Sequence, residues 1–193
     1  VEFKPDDWKP WHNKRTYEGV GYVGVESSDI DSESCSFIKW KNMIQRCYNK
    51  KVHKLKPYYM DKNVCVEWQN YQNFKIWFDA HYIPGTKVDL DKDLLCKESN
   101  MYSPETCSFL THYINTVFEE RGIKNSIVKD DDNKYAVSFA ILNKKIDLGI
   151  YDTEELAQQG LIDGKIKYIK ELAESCKGKV QDYVYEAMLR YEH

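Results

Sequence analysis

Residues 90–115 read LDKDLLCKESNMYSPETCSFLTHYIN, and this stretch decides how the chain is read. Two acids and a lysine, Asp91, Lys92 and Asp93, stand side by side. A turn through Tyr102, Ser103 and Pro104 follows, and the stretch closes on a short apolar-periodic run that carries His112 and Asn115. A β-hairpin followed by a helix is the simplest reading. His112 and Asn115 are three residues apart and so share a helix face. That layout lets an acid from the hairpin and an imidazole or amide from the helix converge on one divalent cation. Asp91, Asp93 and Asn115 are the oxygen donors that Mg²⁺ or Mn²⁺ prefers, and His112 or Asp93 is placed to activate water.

Upstream, Phe37, Trp40, Met43, Ile44 and Cys47 recur at helical spacing and predict a buried stripe. The next stretch is the most basic of the chain. Arg46, Lys50, Lys51, Lys54, Lys56 and Lys62 face a single acid, Asp61, with Tyr48, Tyr58 and Tyr59 interleaved. Cations in that density neutralise phosphates and release counterions, so DNA contact is expected here. Val64, Val66 and Trp68 then alternate briefly, and Tyr71, Phe74, Trp77 and Phe78 return to helical spacing.

Downstream the texture changes. Tyr135, Val137, Phe139 and Ile141 alternate, Asn143-Lys144-Lys145 makes a turn, and Ile146, Leu148 and Ile150 alternate again, with Ile127 and Val128 as a third strand. Asp152 or Thr153 caps a following helix, with Glu154 and Glu155 in its first turn. Gly160 and Gly164 weaken that helix, and Gly178 separates it from a last one. If this sheet were to enter a DNA groove, Lys134, Lys144 and Lys145 would supply its charge; a purely structural αβ module is the blander reading. The domains expected are an N-terminal arm at 1–34, a domain at 35–122 and a module at 123–193, with the boundary near 122–126.

Length and composition fit a globular protein of 193 residues with fifteen Tyr, seven Phe and five Trp. No apolar run approaches the roughly 18–20 residues of a membrane helix, and no secretory apolar segment stands near the start. Six cysteines without a CxxC pair read as reduced thiols of a cytoplasmic protein. A structural Zn²⁺ on Cys47, Cys65, Cys96 and Cys107 lacks that spacing, and small buried side chains are the preferred reading. The net charge of −3 argues against a pure nucleic-acid binder, so local charge matters more than the total.

Three stretches carry a resemblance. WKNMIQRCYN, then YYMDKNVCVEW with NYQNFKIW, then LDKDLL with YSPETCSFLTHYIN together resemble the phage-encoded HNH endonuclease-like proteins of the homing type, over residues 37–118. The segment after 134 is similar to the Apetala-type DNA-binding module, through Leu148, Gly149, Tyr151, Thr153, Glu154, Glu155 and Ala157. The resemblance implies an α+β fold: a ββα-metal domain with flanking helices, then a three-stranded sheet with helices. It also implies a metal-dependent DNA endonuclease. The chain departs from the family where an Asp-His pair is usual. Aligning Asp91 with the metal-binding Asp puts Lys92 in the place of the base. The shifted alignment puts Asp93 there and Lys92 in the ligand's place, and a protonated lysine ligates no metal. Thr106 replaces the middle Asn of the motif. Two functions follow as expectations. One is a DNA endonuclease using one Mg²⁺ or Mn²⁺. The other is an inactive protein on the same scaffold that binds DNA or a host protein in phage takeover or counter-defence.

Overall fold

The computed structural model describes residues 9–96, 98–118, 126–142 and 144–192. In chain order the elements are α1 (Cys35–Tyr48), α2 (Lys50–Leu55), β1 (Asn63–Val64), α3 (Val66–Gln69), α4 (Tyr71–His81), β2 (Val88–Asp91), β3 (Met101–Tyr102), β4 (Ser108–Thr111) and α5 (His112–Phe118). Then come β5 (Ile127–Lys129), β6 (Tyr135–Ile141), β7 (Lys144–Tyr151), α6 (Glu154–Cys176) and α7 (Asp182–Leu189), which makes the chain α+β. It divides into two compact units. One holds residues up to Thr86 together with Leu95–Phe109; the other holds Lys87–Leu94 and the chain from Leu110 onward. The boundary expected at 122–126 falls almost wholly on residues 119–125, outside the described residues, as does Asn143 of the expected turn. Among the described residues no helix is long and apolar enough to cross a membrane.

The first unit is built on aromatic rings. Ser34 caps α1, its hydroxyl accepting from the Phe37 N–H at 3.3 Å. Phe37, Trp40, Met43, Ile44 and Cys47 form the buried stripe that their spacing predicts. The Trp40 indole N–H, fully buried, donates to the carbonyl of Trp68 at 2.7 Å. Trp68 in turn packs edge-on against Phe74 of α4, centroids 5.1 Å apart. The Val64–Trp68 alternation yields only the two residues of β1. The Cys65 carbonyl accepts from the N–H groups of Trp68 and Gln69, and that tight turn winds α3, leaving Val66 outside at 72 % exposure and Trp68 inside. The described part of the expected arm, residues 9–34, is packed here: Tyr22 is buried and hydrogen-bonds through its backbone to Gln69 and Tyr71. β1 pairs in parallel with β3, Asn63 opposite Met101 and Val64 opposite Tyr102.

In the second unit, β5, β6 and β7 form an antiparallel sheet in that order. Val137, Phe139 and Ile141 are its buried face. Thr153 caps α6 by accepting from the Leu156 N–H at 3.2 Å. Gly160 and Gly164 do not break α6, which runs 23 residues. They are the places where the sheet comes closest. A Cβ on Gly160 would lie 2.2 Å from the Tyr151 ring, and one on Gly164 would lie 2.6 Å from Leu148. The helix-weakening residues are therefore packing residues, one turn apart on the face that meets β7.

Gly160→Ala should destabilise the chain, because overpacking costs about 1–3 kcal/mol and outweighs the ~1 kcal/mol that alanine adds to an exposed helix. Thermal unfolding checks this: a melting temperature lowered by several degrees is expected, and an unchanged or raised one would contradict the close packing.

Candidate functional site

Residues 88–118 form β2, β3, β4 and α5, with β2 and β4 in one two-stranded sheet, β3 paired with β1 instead, and α5 following β4 without a break. Thr111 begins the helix, its hydroxyl accepting from the Ile114 N–H at 3.3 Å. Ile114, Val117 and Phe118 face inward, and this fixes the exposed side on which His112 stands.

An acid of the first strand and the imidazole of the helix do meet, and the acid is Asp89. His112 Nδ1 lies 2.9 Å from Asp89 Oδ2. A carboxylate only accepts, so Nδ1 carries a proton toward Asp89, and in the neutral imidazole Nε2 is then the nitrogen with the lone pair. The His112 side chain is 61 % exposed and that of Asp89 35 %. This is the arrangement of an oriented base: one nitrogen anchored, the other open to solvent and able to take a proton from water.

Asp91 serves a different purpose. Its Oδ2 accepts from the N–H groups of Asp93 at 3.0 Å and Leu94 at 2.9 Å, and the residue is 6 % exposed. This is an Asx turn, in which a short acid closes the chain behind itself. Burial pushes the carboxyl up to about 6, against the pull of the Leu94 N–H. Lys92 is buried at 5 % and its ammonium lies on the carboxylate of Asp93, which is 53 % exposed. The pair that meets at the strand–helix junction is His112 with Asp89. Asn115 is half-buried one turn after His112. As ligands for a hard cation, Asp93 and Asn115 offer suitable oxygens, and Asp91, whose Oδ2 holds the turn, has its Oδ1 left to offer. Among the described residues no three His, Cys, Asp or Glu side chains stand close enough to hold a metal ion. The cysteines considered for zinc are Cys47, Cys65 and Cys107, all buried, and Cys96, exposed. Burial pushes the Cys65 thiol up to about 11.

The basic residues fall on both units. In the first, Arg46 ends α1 with its guanidinium 5.7 Å from the Tyr59 ring centroid. Asn49 caps α2, its Oδ1 accepting from Lys51 and Val52, and so turns Lys50, Lys51 and Lys54 out to solvent. Lys56 and Tyr58 are exposed just beyond, while Lys62 is held by Asn100 Oδ1 at 2.6 Å. In the second unit Lys144 and Lys145 open β7, and Lys145 pairs with Asp147 at 2.9 Å. Lys134 pairs with Asp152 at 2.8 Å.

Asp89 escapes a reading that weights acids by their neighbours, because Asp91, Lys92 and Asp93 crowd the eye. The signal that points to it is strand alternation: Asp89 and Asp91 stand two apart and project to the same side of β2. Comparison with protein-family models, curated proteins and solved structures returned no match.

Asp91→Asn keeps an oxygen acceptor for the turn and removes the titration. The folded carboxyl holds its proton to a higher pH than the unfolded one, so wild-type stability falls as pH rises from about 4 to about 6. Urea unfolding in chelator-containing buffer should show Asn gaining on wild type by on the order of 2–3 kcal/mol across that window. A gain in the opposite direction would mean that the carboxylate is stabilised where it stands.

Proposed function

We propose that the chain is a DNA endonuclease of the HNH-like kind with an altered motif, hydrolysing phosphodiester bonds with the help of one divalent cation. The observation that carries this reading is the pairing of Asp89 with His112 across the strand–helix junction. The strand, strand, helix order supports it, since it is the order the ββα-metal resemblance implies.

The chain's own residues would act as follows. Asp89 holds the imidazole by Nδ1–H and stabilises the cation that forms when His112 is protonated. Nε2 takes the proton from water as the water oxygen attacks phosphorus, and the 3′-oxygen leaves. Asp93 and Asn115 are the residues that would hold Mg²⁺ or Mn²⁺, which supplies charge neutralisation at the leaving oxygen. Holding it there requires Asp93 to exchange the Lys92 ammonium for the ion. The cations of the 46–62 segment would bind the DNA backbone.

A second reading is favoured by one observation: the Asp91 carboxylate is committed to its own turn and that of Asp93 to Lys92. On this reading the scaffold is inactive and binds DNA or a host protein.

Supercoiled plasmid incubated with the purified chain and Mg²⁺ or Mn²⁺ separates the two. Conversion to open circles is expected, abolished by chelator and slowed about 10²-fold or more by His112→Ala with an unchanged circular-dichroism spectrum. No nicking by folded protein with either metal, or cutting by His112→Ala at the wild-type rate, overturns the nuclease reading.

A further inference from the structure

The first unit carries a cleft that the cutting chemistry does not use. It has a volume of about 270 Å³ and lies between the end of α1 and the α2 turn. Asn42, Gln45 and Arg46 line one wall, Leu55, Lys56 and Tyr59 the other. Its size is just below the roughly 300–1,000 Å³ of small-molecule pockets, which suits a single flat ring system. The composition is specific. Asn42 and Gln45 stand three apart on α1 and offer amide donors and acceptors, the groups that read base edges. The Tyr59 ring offers an aromatic surface, with the Arg46 guanidinium over it at 5.7 Å from the centroid and the Tyr58 ring 4.5 Å away, centroid to centroid. Lys56 lines the cleft, and Lys50, Lys51 and Lys54 are exposed on the adjoining α2, which adds positive charge to this part of the unit.

Two exposed apolar residues point further. Leu55, which lines the cleft, is 84 % exposed and Met60, next to Tyr59 in sequence, 67 %, in the middle of the most basic stretch of the chain. Phosphates gain nothing from such side chains, whereas unstacked base faces do; apolar side chains of this kind insert between base steps and open them. An intact duplex presents its bases edge-on within the stack and cannot place one in a cleft. A strand with an unpaired nucleotide can, at no unpairing cost.

We infer that this cleft captures one unpaired nucleobase, with Asn42 and Gln45 on its edge, Tyr59 on its face and the surrounding lysines on the flanking phosphates. The preferred substrate of the proposed nuclease is then DNA carrying a bulged or single-stranded nucleotide. The inference rests on the DNA-directed reading above and names its substrate class.

The test uses the full chain in chelator-containing buffer and three labelled 20-nucleotide duplexes followed by fluorescence anisotropy: fully paired, with one bulged base, and with a bulged abasic site. The abasic bulge keeps the flexible backbone and lacks the ring. The bulged base should bind about tenfold more tightly than the other two, as stacking on one aromatic side chain allows. Tyr59→Ala, and separately Asn42→Ala with Gln45→Ala, should erase that preference while leaving the affinity for paired duplex unchanged. Lys50→Ala with Lys54→Ala should weaken all three alike and flatten the salt dependence. Equal affinity for the base and abasic bulges, a preference that survives both cleft variants, or no binding to any duplex overturns the inference. The two claims fail separately: a chain that nicks plasmid without a base preference loses only the cleft, and one that captures the base but never cuts loses only the nuclease.

Discussion

The turn that ends β2 is closed by a carboxylate that is nearly out of solvent's reach. Asp91 accepts two backbone N–H groups from the residues after it, and the geometry of the candidate site follows from that closure. It stops the strand, sets where Lys92 and Asp93 emerge, and fixes the register in which Asp89 faces α5. An ionised carboxylate in such a place is costly, and the backbone donors and the neighbouring ammonium of Lys92 offset only part of it, so the carboxyl holds its proton to about pH 6. Asp91, an acid that the sequence offers as a metal ligand, thus also closes the turn behind its own strand.

In the proposed function the proton transfer falls to Asp89 and His112, which stand 23 residues apart in sequence. Neither is deeply buried, so the attraction between them is modest in itself. Its value lies in orientation: the carboxylate selects which imidazole nitrogen carries the proton and which is open. The same division of labour appears in the first unit. Trp40 and Trp68 build a core locked by an indole N–H donated to a backbone carbonyl. The end of α1 beyond Trp40 carries Asn42, Gln45 and Arg46, one wall of the basic cleft.

Much of the fold was legible in the sequence because hydrophobic period is a local signal. The stripes of α1 and α4, the β6–β7 pair and the Thr153 cap all follow from residues a few positions apart. What escaped depends on distant partners. Val66 continues an alternation by itself, yet the burial of Trp68 under Trp40 winds that stretch into a helix. Gly160 and Gly164 read as weak points until Tyr151 and Leu148 are seen against them. Lys62 counts as one of a run of cations, but Asn100, 38 residues away, holds it. At the site, the helix that begins at His112 was legible. The pairing of Asp89 with His112 was not, because it joins residues 23 apart, and neither was the Asp91 turn, because it depends on which carboxylate the following loop captures.

The account stands most directly on whether Asp89 and His112 work as one unit. A double-mutant cycle on the metal-dependent nicking rate, with Asp89→Asn, His112→Gln and the pair, measures this. An oriented base predicts that each single change removes most of the rate and that the double variant is no slower than His112→Gln alone. Independent, multiplicative losses, or wild-type nicking by Asp89→Asn, would contradict it.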